Sequence, residues 1–374
     1  MRQLKILFTA RDPGGAGAIL PVFQYFRERG ECEVVIAASG IAHDWLCKQG
    51  EQPFSFFCSS NRDYICHNED PTQLLEAADE LLGNIQPDAV VTALSSFGAG
   101  IDEAVIAQAV VPTFSIQDCW GDVNTELGVT ADTYFVIDDF AAKLSQDRFG
   151  VNTVVVGAPK YTRYSTLDIP SLRHQYRHLA GIADGVSMVC WFGQSPKIPG
   201  HEKVFEDFIS VLPELRKNIK VVLRGHPKFA EDFALYLNQI RLAGLDVCDA
   251  TGKGRAEGWL SACDLMVTPF SMSGIDHAYL TSVSPEVLGN VVYLMTNKDI
   301  QDFQFQATGI RKFPPLLNRG IGYYVDNIIK IDTVLNLALT WESRIDYYHR
   351  SKQLIFLNPC VAIYKYILEC LRKE

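Results

Sequence analysis

The chain has 374 residues, more than one ordinary hydrophobic core accommodates and enough for two. With 48% hydrophobic and 21% charged residues it has a globular composition, which excludes a dominant disordered tract. The formal net charge of −10 excludes the broadly basic face that a nucleic-acid partner requires.

In chain order, short apolar runs alternate with amphipathic stretches. The runs Lys5–Thr9, Val34–Ala37, Ala89–Thr92, Thr113–Ile116, Thr133–Val136 and Thr153–Val156 are rich in β-branched and aromatic residues and apolar on both faces. Such runs predict strands of a parallel sheet covered on both sides. Between them, helical patterns span Ala18–Glu28, Ala42–Gln49, Thr72–Asn84, Gly100–Gln108 and Ala141–Phe149. The alternation predicts βαβ units. Ala158-Pro159 and Ile169-Pro170 then interrupt it, within a join from Gly157 to Asp184.

A second round follows. Strands are predicted at Val186–Phe192, Val221–Leu223, Leu245–Val247, Leu265–Thr268 and Val291–Met295, with helices at Gly200–Leu215, Phe229–Ala243 and Arg255–Ala262 and another opening at Ala278–Leu280. Residues 331–373 have a helical pattern divided at Asn358-Pro359. The expected fold is α/β, with two Rossmann-like domains at 1–160 and 161–330 and C-terminal helices at 331–374 that could cross back to the first domain.

The ten cysteines include no Cys-x-x-Cys pair, and several lie in apolar runs, as reduced core thiols do. No Cys/His cluster has metal-ligand spacing, so no metal is expected. Only three apolar residues, Ile6 to Phe8, follow the charged start, too few for a secretion signal, and no run reaches the length of a membrane span. A cytoplasmic location is therefore expected. A peripheral membrane contact and a homodimer stay open; the tail tyrosines Tyr347, Tyr348, Tyr364 and Tyr366 read more simply as core packing.

In open α/β sheets, ligands collect at the carboxyl ends of strands. The first strand is followed by Arg11-Asp12-Pro13-Gly14-Gly15-Ala16-Gly17, a turn that lets backbone approach a ligand or serves simply as a strand-to-helix turn. No acidic residue ends the second strand, where Ser39-Gly40 stands, which argues against a dinucleotide ribose contact. Ser95, after the strand at 89–92, is suited to a cleft wall. Asp118, at the end of the strand at 113–116 and separated from it by Gln117 alone, is either a base, a hydroxyl acceptor or a loop cap. Asp138-Asp139 reads as a helix N-cap.

In the second half, Arg224-Gly225-His226-Pro227-Lys228 crowds two cations and a histidine at one strand end, which suits a diphosphate. The segment Ser271-Met272-Ser273-Gly274-Ile275-Asp276 joins a strand to a helix, a setting that offers bare backbone N–H groups to an anion or is an ordinary N-cap. The loop 249–254 lacks Walker spacing, so a P-loop is excluded.

Arg-Gly-His-Pro at 224–227, Ser-x-Ser-Gly with an acid two residues on at 271–276, and Val155-Val156-Gly157-Ala158-Pro159 at the join together resemble the GT-B glycosyltransferase superfamily. Within it, the chain is most similar to the branch of UDP-N-acetylglucosamine 2-epimerases and CDP-glycerol glycerophosphotransferases. The resemblance implies two Rossmann-like domains facing across a cleft. It implies metal-independent transfer from a nucleotide sugar to a sugar or glycan acceptor, in surface or capsular polysaccharide synthesis, with no cofactor beyond that donor. Arg224, His226, Lys228, Ser271, Ser273 and Gly274 would hold the nucleotide diphosphate and Asp276 the sugar or ribose. Asp118 would be the catalytic base, with His226 also catalytic, and Gly14, Gly15, Gly17 and Ser95 would line the acceptor side.

The sequence departs from the epimerase pattern in two places: Ile116-Gln117-Asp118-Cys119-Trp120 stands for His-x-Glu-Ala-Gly, and Gly274-Ile275-Asp276-His277-Ala278 for a run ending in two glutamates. The alternatives are an epimerase-like isomerase, a CDP-glycerol-type polyol phosphate transferase and a non-catalytic nucleotide-sugar-binding protein.

Overall fold

The computed structural model describes residues 2–56, 71–94, 98–215, 218–225, 233–354 and 358–372. These form two compact units, one of residues 1–163 and 356–374, the other of residues 164–355.

Unit 1 is built on a seven-stranded parallel sheet: β1 (Leu4–Ala10), β2 (Cys32–Ala38), β3 (Phe54–Ser55), β4 (Ala89–Ala93), β5 (Thr113–Ile116), β6 (Thr133–Val136) and β7 (Thr153–Val155), ordered β3-β2-β1-β4-β5-β6-β7. Its helices are α1 (Pro13–Arg29), α2 (Gly40–Lys48), α3 (Pro71–Ile85), α4 (Ile101–Gln108) and α5 (Asp139–Phe149). One apolar layer joins Ile6 and Phe8 of β1 to Phe23 and Phe26 of α1; the other packs Leu7 and Val90 against α3 and α4. Burial on both faces is why the strands read as continuous apolar runs.

Unit 2 carries α6 (Ile169–Leu179), β8 (Ser187–Phe192), α7 (His201–Val211), β9 (Ile219–Arg224), α8 (Phe233–Leu242), β10 (Val247–Asp249), α9 (Ala256–Ala262), β11 (Leu265–Thr268), α10 (Ser273–Val283), β12 (Asn290–Leu294), α11 (Lys298–Thr308), β13 (Tyr323–Val325), α12 (Ile331–Ala338) and α13 (Trp341–Ser351). Its parallel sheet has the order β10-β9-β8-β11-β12-β13. Buried Asp264, just before β11, pairs with Arg173 at 2.6 Å, Arg177 at 2.7 Å and Arg344 at 3.2 Å. It also accepts from the Met188 N–H at 2.8 Å. One carboxylate thus ties α6, α13 and β8 to β11.

The last helix, α14 (Pro359–Leu371), belongs to unit 1, where Ile363 and Ile367 are fully buried. Its Tyr364 ring meets Phe26 at 4.7 Å and Tyr25 at 5.4 Å; Tyr366 meets Phe135 at 5.6 Å. Tyr347 is buried on α13. These tail tyrosines are core packing.

Several elements differ from the sequence expectation. Helix α1 begins at Pro13, five residues before the predicted start, because Asp12 caps it by accepting from the Gly15 N–H at 2.7 Å and Pro13 suits the first helical position. The glycine turn is therefore the first turn of a helix. Helix α10 likewise begins at Ser273, ahead of Ala278. Strand β10 lies two residues beyond the predicted one. Strands β3 and β13, only two and three residues long, and helix α11 had no counterpart in the reading. The tail divides at 355/356, so α12 and α13 pack in unit 2 and only α14 in unit 1. The eight described cysteines are free thiols. Among the described residues no helix is long and apolar enough to cross a membrane.

Candidate functional site

Each sheet has one place where the winding reverses: between β1 and β4 in unit 1 and between β8 and β11 in unit 2. Loops splay apart there and leave a crevice outside the carboxyl ends of the strands. Of the described candidates, Gly14 and Gly15 open α1 directly after β1, beside the first place, and Ser271, Ser273 and Gly274 follow β11, beside the second.

In unit 1 the crevice is bordered by the start of α1 and the loops after β4 and β5. Asp118 leaves β5 and turns back toward α1. A β-carbon at Gly14 would lie 3.2 Å from Asp118 Oδ2 and 3.3 Å from Asp12 Oδ1, so two carboxylates flank that glycine. Gly14 itself is exposed. At Gly15 a β-carbon would come within 2.6 Å of the Ala93 side chain, so this glycine lets α1 sit on β4. At Gly17 the nearest atom, on Trp45, would be 4.0 Å away, and nothing in the packing demands glycine.

The 117–122 loop is held from both ends. Gln117 Nε2 donates to the Asp122 carbonyl at 2.6 Å and to Ser145 at 3.0 Å, and Arg148 donates to the Gly121 carbonyl at 2.6 Å. The Trp120 indole donates to Asp138, which also caps α5 through the Ala141 N–H at 2.8 Å. Burial, followed by the charge of Asp118, pushes Asp122 up to about 7, against the opposing pull of Arg148. Burial and the same two carboxylates push the Cys119 thiol well up.

A buried support lies behind the loop. Arg11 and Glu103, 4% and 5% exposed, sit 3.9 Å apart. Glu103 accepts from the Gly100 N–H at 2.8 Å and the Asn124 amide at 2.7 Å, and Arg11 donates to the Gly98 carbonyl at 3.0 Å. A β-carbon at Gly100 would collide with Arg11. Neither this network nor Asp122 was singled out from the sequence. The only local signal was Gly100 three residues ahead of Glu103, the spacing of a helix-start pair.

In unit 2 the crevice lies between the loops after β8 and β11, with β9 on the far side of β8. The end of β9 at Arg224 and the end of β11 at Thr268 are therefore two strand spacings apart, roughly 10 Å. Arg224 Nη1 donates to the carbonyls of Ala250 at 2.9 Å and Lys253 at 2.7 Å. Burial pulls its pKa below the ordinary guanidinium value, and among the described residues it forms no ion pair with a carboxylate. Gly225 donates its N–H to Thr251 at 2.9 Å. β-Carbons at Gly193 and at Gly225 would both collide with the Phe233 ring. One aromatic ring thus brings the ends of β8 and β9 down to the same level.

The expectation of bare N–H groups at Ser273 and Gly274 is corrected by the geometry. Ser273 N–H donates to Ser271 Oγ at 3.2 Å and Gly274 N–H to the Ser271 carbonyl at 3.1 Å. What α10 offers an anion is its dipole and the half-exposed hydroxyls of Ser271 and Ser273. Gly274 has a packing reason, since a β-carbon there would strike the Tyr293 hydroxyl. Asp276 is half-buried in the first turn of α10. Its neighbour His277 is fully buried, 3.0 Å from the Tyr347 hydroxyl, and burial holds it down to about 3. Ser95, His226 and Lys228 lie outside the described residues.

No protein-family model matches the sequence, nor does any curated protein. Solved structures do match in fold over the whole chain. A putative UDP-N-acetylglucosamine 2-epimerase from Listeria monocytogenes aligns with a TM-score of 0.70 and 13% identity, over 100% of this chain and 98% of that one. MurG from Acinetobacter baumannii aligns at 0.60 and 13%, over 100% of both chains. HepE from Anabaena, in complex with UDP and glucose, aligns at 0.61 and 15%, over 99% of this chain and 100% of that one. The fold is GT-B, and identities this low speak to fold alone.

Proposed function

We propose that this chain is an enzyme that uses a nucleotide-activated sugar, and that it acts as a metal-independent glycosyltransferase in surface or capsular polysaccharide synthesis. The observation that carries the reading is Arg224. A half-buried guanidinium bonded to carbonyl oxygens, with no ion pair to a carboxylate among the described residues, leaves a cation that a ligand anion can answer. It ends β9, one strand from the winding reversal between β8 and β11 and two strands from β11, which leads into the positive end of α10.

In this reading unit 2 takes the donor. Arg224 and the α10 dipole, with the Ser271 and Ser273 hydroxyls, stabilise the diphosphate as the glycosidic bond breaks. Asp276 faces the donor sugar or ribose. Asp118, beside Gly14 in unit 1, is the group assigned to take the proton of the acceptor hydroxyl. Charge neutralisation is assigned to the protein's own groups, with no metal or further cofactor.

A second reading, a sugar-nucleotide 2-epimerase, is favoured by one feature. Burial first, and the charge of Asp118 second, hold Asp122 protonated to about pH 7, and a pair of carboxyls in unlike states suits proton transfer at a sugar carbon. Against it, the position of the first glutamate in the epimerase run holds His277, which faces Tyr347 in the core.

A thermal-shift screen against UDP, CDP, GDP, CMP, dTDP and their common sugar conjugates tests the donor site. A selective rise for one nucleotide, lost in Arg224→Met and reduced in Ser273→Ala, is expected. A folded protein that shifts with none of them refutes the nucleotide-sugar reading. With the nucleotide known, deuterium entering C2 in D2O without an acceptor would replace transferase by epimerase. Tight binding without turnover would reduce the chain to a binding protein.

A further inference from the structure

We infer that a groove along α1 of unit 1, away from the strand ends described above, is a saccharide-binding subsite. The groove encloses about 390 Å³, within the range of small-ligand pockets and enough for one or two sugar rings. Its floor is one face of α1, because Gly17, Pro21, Gln24 and Glu28 are spaced four, three and four residues apart. Trp45 of α2 and Tyr25 of α1 add aromatic surface. The turn at 159–166 and the start of α14 close the remaining side.

Two features of α1 run against helix stability and meet in this groove. Gly17 disfavours the helix relative to alanine, yet a β-carbon there would find only an ordinary contact with Trp45 at 4.0 Å. The missing side chain keeps the groove open beside the indole. Pro21 stands inside the helix and has no N–H to give the carbonyl four residues earlier, which is that of Gly17. The Gly17 carbonyl beside the groove therefore lacks its helical donor, and the Gln24 amide and Glu28 carboxylate follow it two and three turns further along the same face. Gln24 is held by donating to Glu51 at 2.9 Å.

Aromatic rings beside fixed oxygen acceptors match a sugar, whose C–H face stacks while its hydroxyls donate. The lining carries one carboxylate, Glu28, against one guanidinium, Arg163, so it has no net positive charge with which to hold a phosphate. Gly17 is one helical turn from Gly14, so the groove starts about 5 Å along α1 from the Asp118 loop. Its assignment to sugar units of the acceptor beyond the reacting one rests on the transferase reading; the binding of a saccharide does not.

The test uses the intact protein without nucleotide. Saturation-transfer NMR is recorded with N,N′-diacetylchitobiose, maltotriose and a hyaluronan tetrasaccharide. Transfer to at least one probe is expected, with affinity falling at least tenfold in Trp45→Ala and several-fold in Glu28→Gln, an exposed position where folding is not at issue. Pro21→Ala restores an N–H to the Gly17 carbonyl. It is expected to weaken binding several-fold while raising the melting temperature, a combination that a purely structural role would not produce. Absence of transfer to all three probes, or transfer undiminished in all three variants, overturns the proposal. Because no nucleotide is present, that result is independent of whether unit 2 binds a donor.

Discussion

Asp118 Oδ2 stands 3.2 Å from where a β-carbon of Gly14 would be, so the carboxylate after β5 closes over the first turn of α1. The positive end of a helix favours a negative group placed there. Gly14 lies within the helix, so its value is the space it leaves beside Asp118.

Gly14→Ala should therefore separate stability from activity. Alanine is the better helix former by up to about 1 kcal/mol, so the melting temperature should hold or rise. Turnover of the donor should fall several-fold as the carboxylate is displaced. Asp118→Asn should reduce kcat by a factor of about 100 to 10,000 with nucleotide affinity retained. Calorimetry paired with a nucleotide-release assay measures both.

Asp122 makes stability depend on pH in a stated direction. Its folded pKa of about 7 lies above the ordinary carboxylate value, so the folded state keeps a proton that the unfolded chain gives up. This contribution is full below about pH 4 and is lost as pH rises to about 7. Asp122→Asn should remove that slope, and above pH 7 it should be more stable than the parent by up to about 4 kcal/mol. Urea unfolding at pH 5, 6, 7 and 8 decides it; equal slopes in parent and variant would contradict the assignment.

The buried histidines act in the opposite sense. Burial holds His201 down to about 4 and His277 to about 3, so folding keeps both neutral. Their contribution is present above the unfolded value near 6.5 and is lost as pH falls toward 4. His201→Phe, in a site already lined by Phe205, Phe233 and Tyr236, should flatten the acid limb of the stability curve between pH 6.5 and 4.

The Asp264 cluster should be among the costliest places to cut. Burial alone would raise this carboxyl, but Arg173, Arg344 and Arg177 hold it below its ordinary value. Asp264→Ala leaves three arginines facing one another and is expected to cost roughly 3–5 kcal/mol, read as a loss in urea midpoint.

Phe233 predicts a shared response at two strand ends. Gly193→Ala and Gly225→Ala each force the same ring to move, and each should cost about 1–3 kcal/mol. Phe233→Ala should rescue most of that increment in the double variants, since the ring is the common obstacle. Two thermodynamic cycles, one for each glycine paired with Phe233, measure the coupling.

Local sequence determined the elements and the placement of the candidate loops. Strands buried on both faces are continuous apolar runs, and so β5, β6 and β11 could be read residue for residue. Asp138 could be recognised as a cap because a cap acts within three residues. Elements with little apolar signal escaped: β3 is two exposed residues, and β13 depends on its neighbour β12 for its hydrogen bonds.

What only the tertiary structure decided was partnership across long stretches of chain. Arg11 meets Glu103, Asp264 gathers arginines from α6 and α13, and the last helix packs on the first. It also reassigned glycines by what stands opposite them: Gly274 makes room for Tyr293, while Gly17 makes room for nothing in the protein. The physical reason is the same throughout. Hydrogen-bond caps and apolar period are local in sequence, whereas a pKa, an ion pair or a steric need depends on atoms that only folding brings near.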